Sequence, residues 1–335
     1  MQRSARMTFK SKLFLTIAAA AILYLLWCLW TGWREIASAF SSFQWRILPL
    51  CLLLAFGNYV VRFTKWHYYL SILNIPLRPL ASFQVFLAGL VMSATPGKFG
   101  EVFKSYLVKE INQTPISRSA PIVFAERLTD FIAFLLMALL GVTLLPNGGV
   151  VFAVSIGGVA AVLILLSWKR AAEWTLARFA RLPFLHNHAD KLRTAYESAY
   201  LLIAPRPLLL ATGVSLGSWF LECVAFYLVL WGFNYPLPIA SATFIYAFGT
   251  IMGALLMTPG GIGPTEGAIG GLLMLLFEIP KGVAASATLI IRICTLWFAV
   301  AVGLVVLASC SRTFSAAADD RSLDSALRDL NEPRP

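Results

Sequence analysis

The sequence predicts an all-α polytopic membrane protein of about six full spans and two re-entrant helical hairpins, eight transmembrane elements in two inverted-topology repeats. Three observations carry that expectation. Hydrophobic residues make up 59% of the chain and charged residues only 13%, with a mean hydropathy of +0.77; a soluble domain is about half apolar and about a quarter charged. Several apolar runs reach the roughly 20 residues that cross about 30 Å of hydrocarbon as helix, and no alternating ten-residue pattern suggests a barrel. A Pro-Gly break followed by a glutamate occurs twice, as Thr95-Pro96-Gly97-Lys98-Phe99-Gly100-Glu101 and as Thr258-Pro259-Gly260-Gly261-Ile262-Gly263-Pro264-Thr265-Glu266.

The net charge of +11 fits basic cytoplasmic loops facing anionic lipid, and nucleic acid is not expected as a partner. Cys28, Cys51, Cys223, Cys294 and Cys310 lie in or beside apolar runs without C-x-x-C spacing. They read as small apolar side chains, not as a disulfide frame or metal site.

Along the chain, Arg3, Arg6, Lys10 and Lys12 precede an apolar run from Leu13 to Trp30, longer than a signal-peptide core and without a small-residue cleavage site. It reads as a first span with the N-terminus inside. A short loop to Arg46 leads to a second span, Ile47 to about Leu70, closed by Trp66-His67-Tyr68-Tyr69 as an aromatic belt. The apolar run Leu80 to Thr95 is short for a crossing and stops at Pro96-Gly97. The stretch after it alternates Phe99, Val102, Phe103, Tyr106 and Leu107 with Glu101, Lys104, Ser105 and Lys109 at helical spacing. Such a return arm lines a polar cavity or lies at the interface. Residues 80–114 thus read as a hairpin.

A span from about Ser119 to Leu145 carries Glu126, Arg127 and Asp130, turns at Pro146-Asn147-Gly148-Gly149 and returns as Val150 to Trp168. The polar insert 169–206 interleaves Arg170, Arg178, Arg181, Lys191 and Arg193 with Trp174, Leu176, Phe179 and Leu182. It is either a set of helices on the inner leaflet or a solvated linker. Span Leu208 to Trp231 holds Glu222, a second hairpin covers 239–278, and a last span, Val283 to Cys310, holds Arg292. The polar tail 311–335 is expected to be disordered and cytoplasmic.

Basic residues support this topology in the inner membrane with both termini cytoplasmic. The inside segments hold four at the N-terminus, seven from Arg62 to Arg118, seven from Lys169 to Arg206 and four in the tail, against Arg34, Arg46 and Lys281 outside.

Self-similarity defines the halves, 1–146 and 147–310. Asn74-Ile75-Pro76-Leu77 recurs as Asn234-Tyr235-Pro236-Leu237, and Glu101, Pro115 and Arg127 recur as Glu266, Pro280 and Arg292, each pair 165 positions apart (266−101, 280−115, 292−127). The two hairpins then enter from opposite faces. Inverted repeats with broken helices meeting near the midplane are a plan of secondary transporters, with the substrate site at the repeat interface.

The Pro96-Gly97-Lys98-Phe99-Gly100-Glu101 copy, the Glu126-Arg127 pair and the Thr258–Glu266 copy resemble the lysylphosphatidylglycerol synthase transmembrane region family, over about residues 10–310. Its flippase-like domains occur alone in many bacteria and archaea and fused to an aminoacyltransferase in the multiple peptide resistance factor. The resemblance implies the stand-alone form, the residues after Cys310 being too few for the aminoacyltransferase. It implies movement of a lipid or lipid-linked substrate between leaflets, and not lipid aminoacylation.

Ionisable residues inside the membrane face a cavity or one another. Arg127 and Arg292 are candidates for an anionic headgroup, because a guanidinium matches phosphate in a planar fork; alternatively they form ion pairs, Arg127 with Asp130 or Glu126 and Arg292 with Glu266 or Glu222. Lys98 stands at the first break, where a helix N-terminus offers N–H groups to an anion, and Gly261 replaces it in the second. Gly97, Gly100, Gly260, Gly261 and Gly263 complete the substrate-binding set. Glu101 and Glu266 either cap their return arms or carry protons. Glu222, with Arg62 as its rough repeat equivalent, is a proton site or an arginine partner, and of Glu126 and Asp130, one turn apart, one is expected to be protonated.

Enzyme signatures fail on inspection. Gly213-Val214-Ser215-Leu216-Gly217 lies in a span without the strand-turn-helix of a nucleophile elbow, and small-residue packing explains it better. Gly97-Lys98 lacks the rest of a P-loop, and His186, His188 and Asp190 lack a second ligand pair for a metal. No cofactor and no metal are expected. The expected function is a carrier of an anionic phospholipid or polyprenyl-linked lipid. The alternative is a non-transporting lipid-binding accessory that positions a partner enzyme of envelope lipid or glycolipid synthesis through the insert 169–206.

Overall fold

In a computed structural model, residues 33–95, 99–144 and 189–310 are described, with isolated positions between 149 and 164. The expected first span, most of Val150–Trp168, the basic part of the insert with His186 and His188, Gly97, Lys98 and the tail lie outside the described residues. The described chain is helical without a strand. Its helices are α1 (Trp33–Ser42), α2 (Leu48–Ile72), α3 (Pro79–Gly89), α4 (Phe103–Asn112), α5 (Ile116–Ala138), α6 (Ala189–Leu202), α7 (Pro205–Gly232), α8 (Ile239–Leu255), α9 (Pro264–Phe277) and α10 (Lys281–Arg292). A π-helical turn, Ile293–Trp297, continues α10, and the whole helix runs to Cys310.

Among the described residues, three helices are long and apolar enough to cross a membrane: Trp45–Ile72, Pro205–Gly232 and Lys281–Cys310. Their outward faces suit lipid. Leu50, Leu53, Phe56 and Val60 on α2 are 37–64% exposed, a lipid-facing stripe that water would penalise.

Both breaks fall where the Pro-Gly signals put them. The first hairpin descends as α3 and a 3-10 segment, Leu90–Ala94, and returns as a 3-10 turn, Phe99–Val102, and α4. The second descends as α8 and returns as α9. At the second break Gly260, Gly261 and Gly263 have φ of +62°, +73° and +94°, left-handed values that a β-carbon resists. At the first, the Gly100 N–H donates to Thr95 Oγ1 at 3.0 Å.

Sequence positions related by fixed offsets adopt matching conformations. Asn74 and Asn234 end α2 and α7 at φ of 50° and 62°, and the N–H of Ile75 and of Tyr235 closes each end on Leu70 O and Leu230 O. Gln113 and Glu278 end α4 and α9 at φ of 61° and 52°. Helices α2 and α7 pack antiparallel: Cys51 Sγ donates to Ala225 O, Asn58 Nδ2 to Ser218 O at 2.8 Å and Lys65 Nζ to Ser215 Oγ at 2.7 Å. The central contact, Asn58 with Ser218, joins positions 160 apart, the offset of the Asn-x-Pro-Leu pair.

Four expectations need correction. The loop before Arg46 is largely α1, whose Ile36 and Ala39, with Phe43 just beyond its end, are buried at helical spacing. The last span of the insert's flank begins at Pro205 rather than Leu208, because Pro205 takes the first helical position. The aromatic belt is core: Trp66 and Tyr69 are fully buried, while Trp45 and Trp231 are the half-exposed aromatic residues near the ends of α2 and α7. Arg62, Lys65 and Lys104 are buried at 3%, 1% and 2% exposure, so they are not loop residues and carry no weight in the comparison of basic loops.

Two apolar cores divide the fold. One gathers Ala133–Ala138 of α5 with α7, α8, α9 and α10, and the other gathers the second half of α2 with α3, α4 and the first half of α5. Beyond Trp297 the last helix lies against the first hairpin. A β-carbon on Gly303 would collide with the backbone N of Val91 and stand 3.0 Å from Leu90 C. Gly303→Val should therefore destabilise by about 3 kcal/mol or more, above the usual overpacking cost because backbone must move, read as a lower unfolding midpoint in detergent. An unchanged midpoint would refute this contact.

Candidate functional site

The polar residues of α2 form one stripe: Asn58, Arg62, Lys65 and Tyr69 recur at helical spacing and all are buried. Helices α4 and α5 face it with charges of their own. Glu101, Lys104 and Ser105 turn inward while Tyr106 and Lys109 are exposed, so the return arm of the first hairpin presents its polar face to the protein. Lys104 fits because Gly89 on α3 leaves space for its stem, where a β-carbon would collide with Lys104 Cγ.

These side chains form a continuous ion-pair network. Lys104 Nζ lies 2.5 Å from Glu126 Oε2 and 3.6 Å from Glu101 Oε2. Arg127 Nη2 lies 3.2 Å from Glu101 and 3.1 Å from Asp130. Lys65 Nζ donates to Asp130 Oδ1 at 2.6 Å and to Ser215 Oγ at 2.7 Å, and Ser215 donates to the same Asp130 oxygen at 2.9 Å. Desolvating so many charges is costly and is offset only while every partner is present. The Lys104 ammonium also sits 4.6 Å from the Trp66 ring centroid, a cation–π contact strengthened by burial.

The second hairpin repeats part of this arrangement. Arg292 Nε donates to Glu266 Oε1 at 2.6 Å, the positions matching Arg127 and Glu101, with the same spacing of 26 residues. Glu266 Oε2 accepts the Gly263 N–H at 2.7 Å, and Arg292 also donates to the Gly260 carbonyl. This pair therefore ties the break to α10. Gly260 in turn approaches the first break, where its β-carbon would stand 3.4 Å from Ala94 Cα. Ala94, Ile262, Leu296 and Val300 pack there as one small cluster.

The candidates thus fall into three groups. Glu101, Glu126, Arg127 and Asp130 come together; Arg292, Glu266 and Gly260 come together; Glu222 on α7 accepts a hydrogen bond from the Tyr246 hydroxyl. Of the capping expectations, Glu266 caps its arm, whereas the Glu101 carboxylate is held by Arg127 and Lys104. Arg127 finds Asp130 among its expected partners, but Lys104, not Arg127, takes Glu126. Among the described residues, nothing lies within 4 Å of a β-carbon at Gly213 or Gly217. Ser215 is a rung between Lys65 and Asp130. Sequence reading missed Lys65, Lys104 and Ser215, although a polar stripe through an apolar span was there to be seen.

Spans with lipid-facing apolar surface, two broken hairpins and buried charge at each break define a multi-pass helical membrane protein. The chain matches the lysylphosphatidylglycerol synthase TM region over residues 13–303, and it belongs to that family. Among its relatives, a UPF0104 membrane protein of Methanothermobacter thermautotrophicus is 27% identical over 314 residues, 88% of this chain and 92% of the relative. One from Pyrococcus horikoshii is 22% identical over 322 residues, 88% and 95% of the two chains. One from Methanocaldococcus jannaschii is 23% identical over 184 residues, 53% and 76%. No solved structure matches.

Proposed function

We propose that this protein moves an anionic phospholipid or polyprenyl-linked lipid between the leaflets of the cytoplasmic membrane, by alternating access of two inverted halves. The observation that carries the reading is the meeting of the two breaks at Gly260 and Ala94, each with its own Glu-Arg pair at one spacing. The antiparallel contact of α2 with α7 through Asn58 and Ser218 supports inversion, since a two-fold axis in the membrane plane relates equivalent helices in this way. Membership of a family described by a lipid synthase points to lipid as the cargo.

Within this reading the two arginines differ. Arg127 keeps 23% of its side chain exposed, and its carboxylates are shared with Lys104 and Lys65. It can exchange a carboxylate for a headgroup phosphate without stranding a charge. Arg292 is engaged by Glu266 and the Gly260 carbonyl and transmits the state of the second break instead.

In proteoliposomes carrying fluorescent phosphatidylglycerol, the protein should accelerate transbilayer movement over empty vesicles, and Arg127→Ala should lower the rate at least about tenfold, the loss of one charged hydrogen bond. No acceleration for phosphatidylglycerol or polyprenyl phosphate would sink the proposal.

A further inference from the structure

Among the buried charges, Arg62 stands outside the ion pairs. Arg62, one turn from Lys65 on α2, is 3% exposed, and its Nε and one terminal nitrogen have no hydrogen-bond partner. Its charge reaches the Asp130 carboxylate, whose oxygens are taken at closer range by Lys65 at 2.6 Å and Arg127 at 3.1 Å. Aromatic faces cover it instead: its guanidinium carbon lies 4.9 Å from the Trp219 centroid and 5.9 Å from that of Phe86. Contact with ring faces satisfies the cation but not the in-plane N–H groups, which point along the edge of the guanidinium. A desolvated charge with idle donors is among the costlier things a core can hold. The same Phe86 ring has the Lys104 ammonium 5.4 Å from its centroid, but Lys104 is neutralised by Glu126 and Glu101. The indole Nε1 of Trp66 also has no partner. Idle hydrogen-bonding groups therefore gather where α2, the first hairpin and α7 meet, acceptors such as Asn58 Oδ1 and Glu126 Oε1 among them.

We infer that Arg62 is an oxyanion-binding residue whose in-plane N–H donors take phosphate oxygens of an anionic headgroup reaching α2 between the first hairpin and α7. Planar guanidinium donors match phosphate oxygens in pairs, and stacking on Trp219 holds that plane fixed. Arg62 differs from Arg127 and Arg292 in that those two stand in ion pairs with carboxylates, although Nε and Nη2 of Arg127 also lack a hydrogen bond. The choice of a lipid as the anion's source rests on the carrier reading, whereas the oxyanion chemistry does not.

The test titrates the purified full-length protein in neutral detergent with phosphatidylglycerol, phosphatidylcholine or inorganic phosphate and follows the unfolding midpoint. Phosphatidylglycerol should raise the wild-type midpoint and phosphatidylcholine should not. Arg62→Met should unfold without ligand at or above the wild-type midpoint, because an unpartnered buried charge is gone, and bind phosphatidylglycerol about tenfold to a hundredfold more weakly. Arg62→Lys keeps the charge but loses the fork; its affinity should also drop, which carries the test if the methionine variant cannot be purified. A response to inorganic phosphate alone, lost in Arg62→Met, supports the oxyanion site and counts against a lipid source. A wild-type lipid response without transbilayer movement would leave the site standing and sink only the carrier. A lowered ligand-free midpoint in Arg62→Met with an undiminished lipid response marks a purely structural arginine and overturns the inference, as does no response to either anion.

Discussion

Asp130→Ala is expected to lower stability by about 3–5 kcal/mol, the cost of stranding a buried partner charge. One carboxylate holds three groups from three helices: the Lys65 ammonium from α2, the Ser215 hydroxyl from α7 and the Arg127 guanidinium one turn along α5. Its loss leaves Lys65, at 1% exposure, hydrogen-bonded to Ser215, Thr129 and the Glu126 carbonyl, with the nearby Glu126 carboxylate already paired with Lys104. The hydroxyls and the carbonyl can accept hydrogen bonds but carry no charge to set against the ammonium. The double variant Lys65→Met with Asp130→Leu should recover most of the loss, since apolar side chains of similar volume replace a buried pair at little cost. Thermal or denaturant unfolding in detergent reads both variants. A double variant no more stable than Asp130→Ala would mean that the pair's worth lies elsewhere than in mutual compensation.

That network shows where sequence reading stopped. The breaks were legible because Pro-Gly is a local signal: the backbone conformations it demands are written in the residues that adopt them. The recurrence of Asn74 and Asn234, and of Gln113 and Glu278, as left-handed helix ends is legible for the same reason. Lys65 and Lys104 were not, because basic residues near a span end are ordinarily loop or interface residues, and only tertiary contacts reveal that α4 turns its polar face inward. The pairing of Glu101 with Arg127 could have been found. Both Glu-Arg pairs share a spacing of 26 residues, and a spacing kept in two halves of a repeat is a constraint on contact. Helix α1 was missed because its apolar positions, Ile36 and Ala39, are few and small, and its burial depends on α10, where the Gly282 β-carbon position lies 2.9 Å from Glu35 O.

The two repeat-related arginines should part company when truncated. Arg292→Ala leaves the Glu266 carboxylate, 1% exposed, with the Gly263 N–H as its remaining hydrogen-bond donor, and removes the tie from α10 to the Gly260 carbonyl. The expected loss is again about 3–5 kcal/mol, centred on the second break. Arg127→Ala leaves Asp130 with Lys65 and leaves Glu101 and Glu126 sharing Lys104, so each carboxylate still touches a cation, and the expected loss is about 1–2 kcal/mol, nearer the worth of one partly exposed charged hydrogen bond. Unfolding midpoints of the two variants measured side by side test this order, and equal losses would refute it. The order also decides how transport results can be read. A folded Arg127→Ala that no longer moves lipid reports on the headgroup, because its network survives. The same loss in Arg292→Ala reports on the second break, whose geometry that arginine maintains.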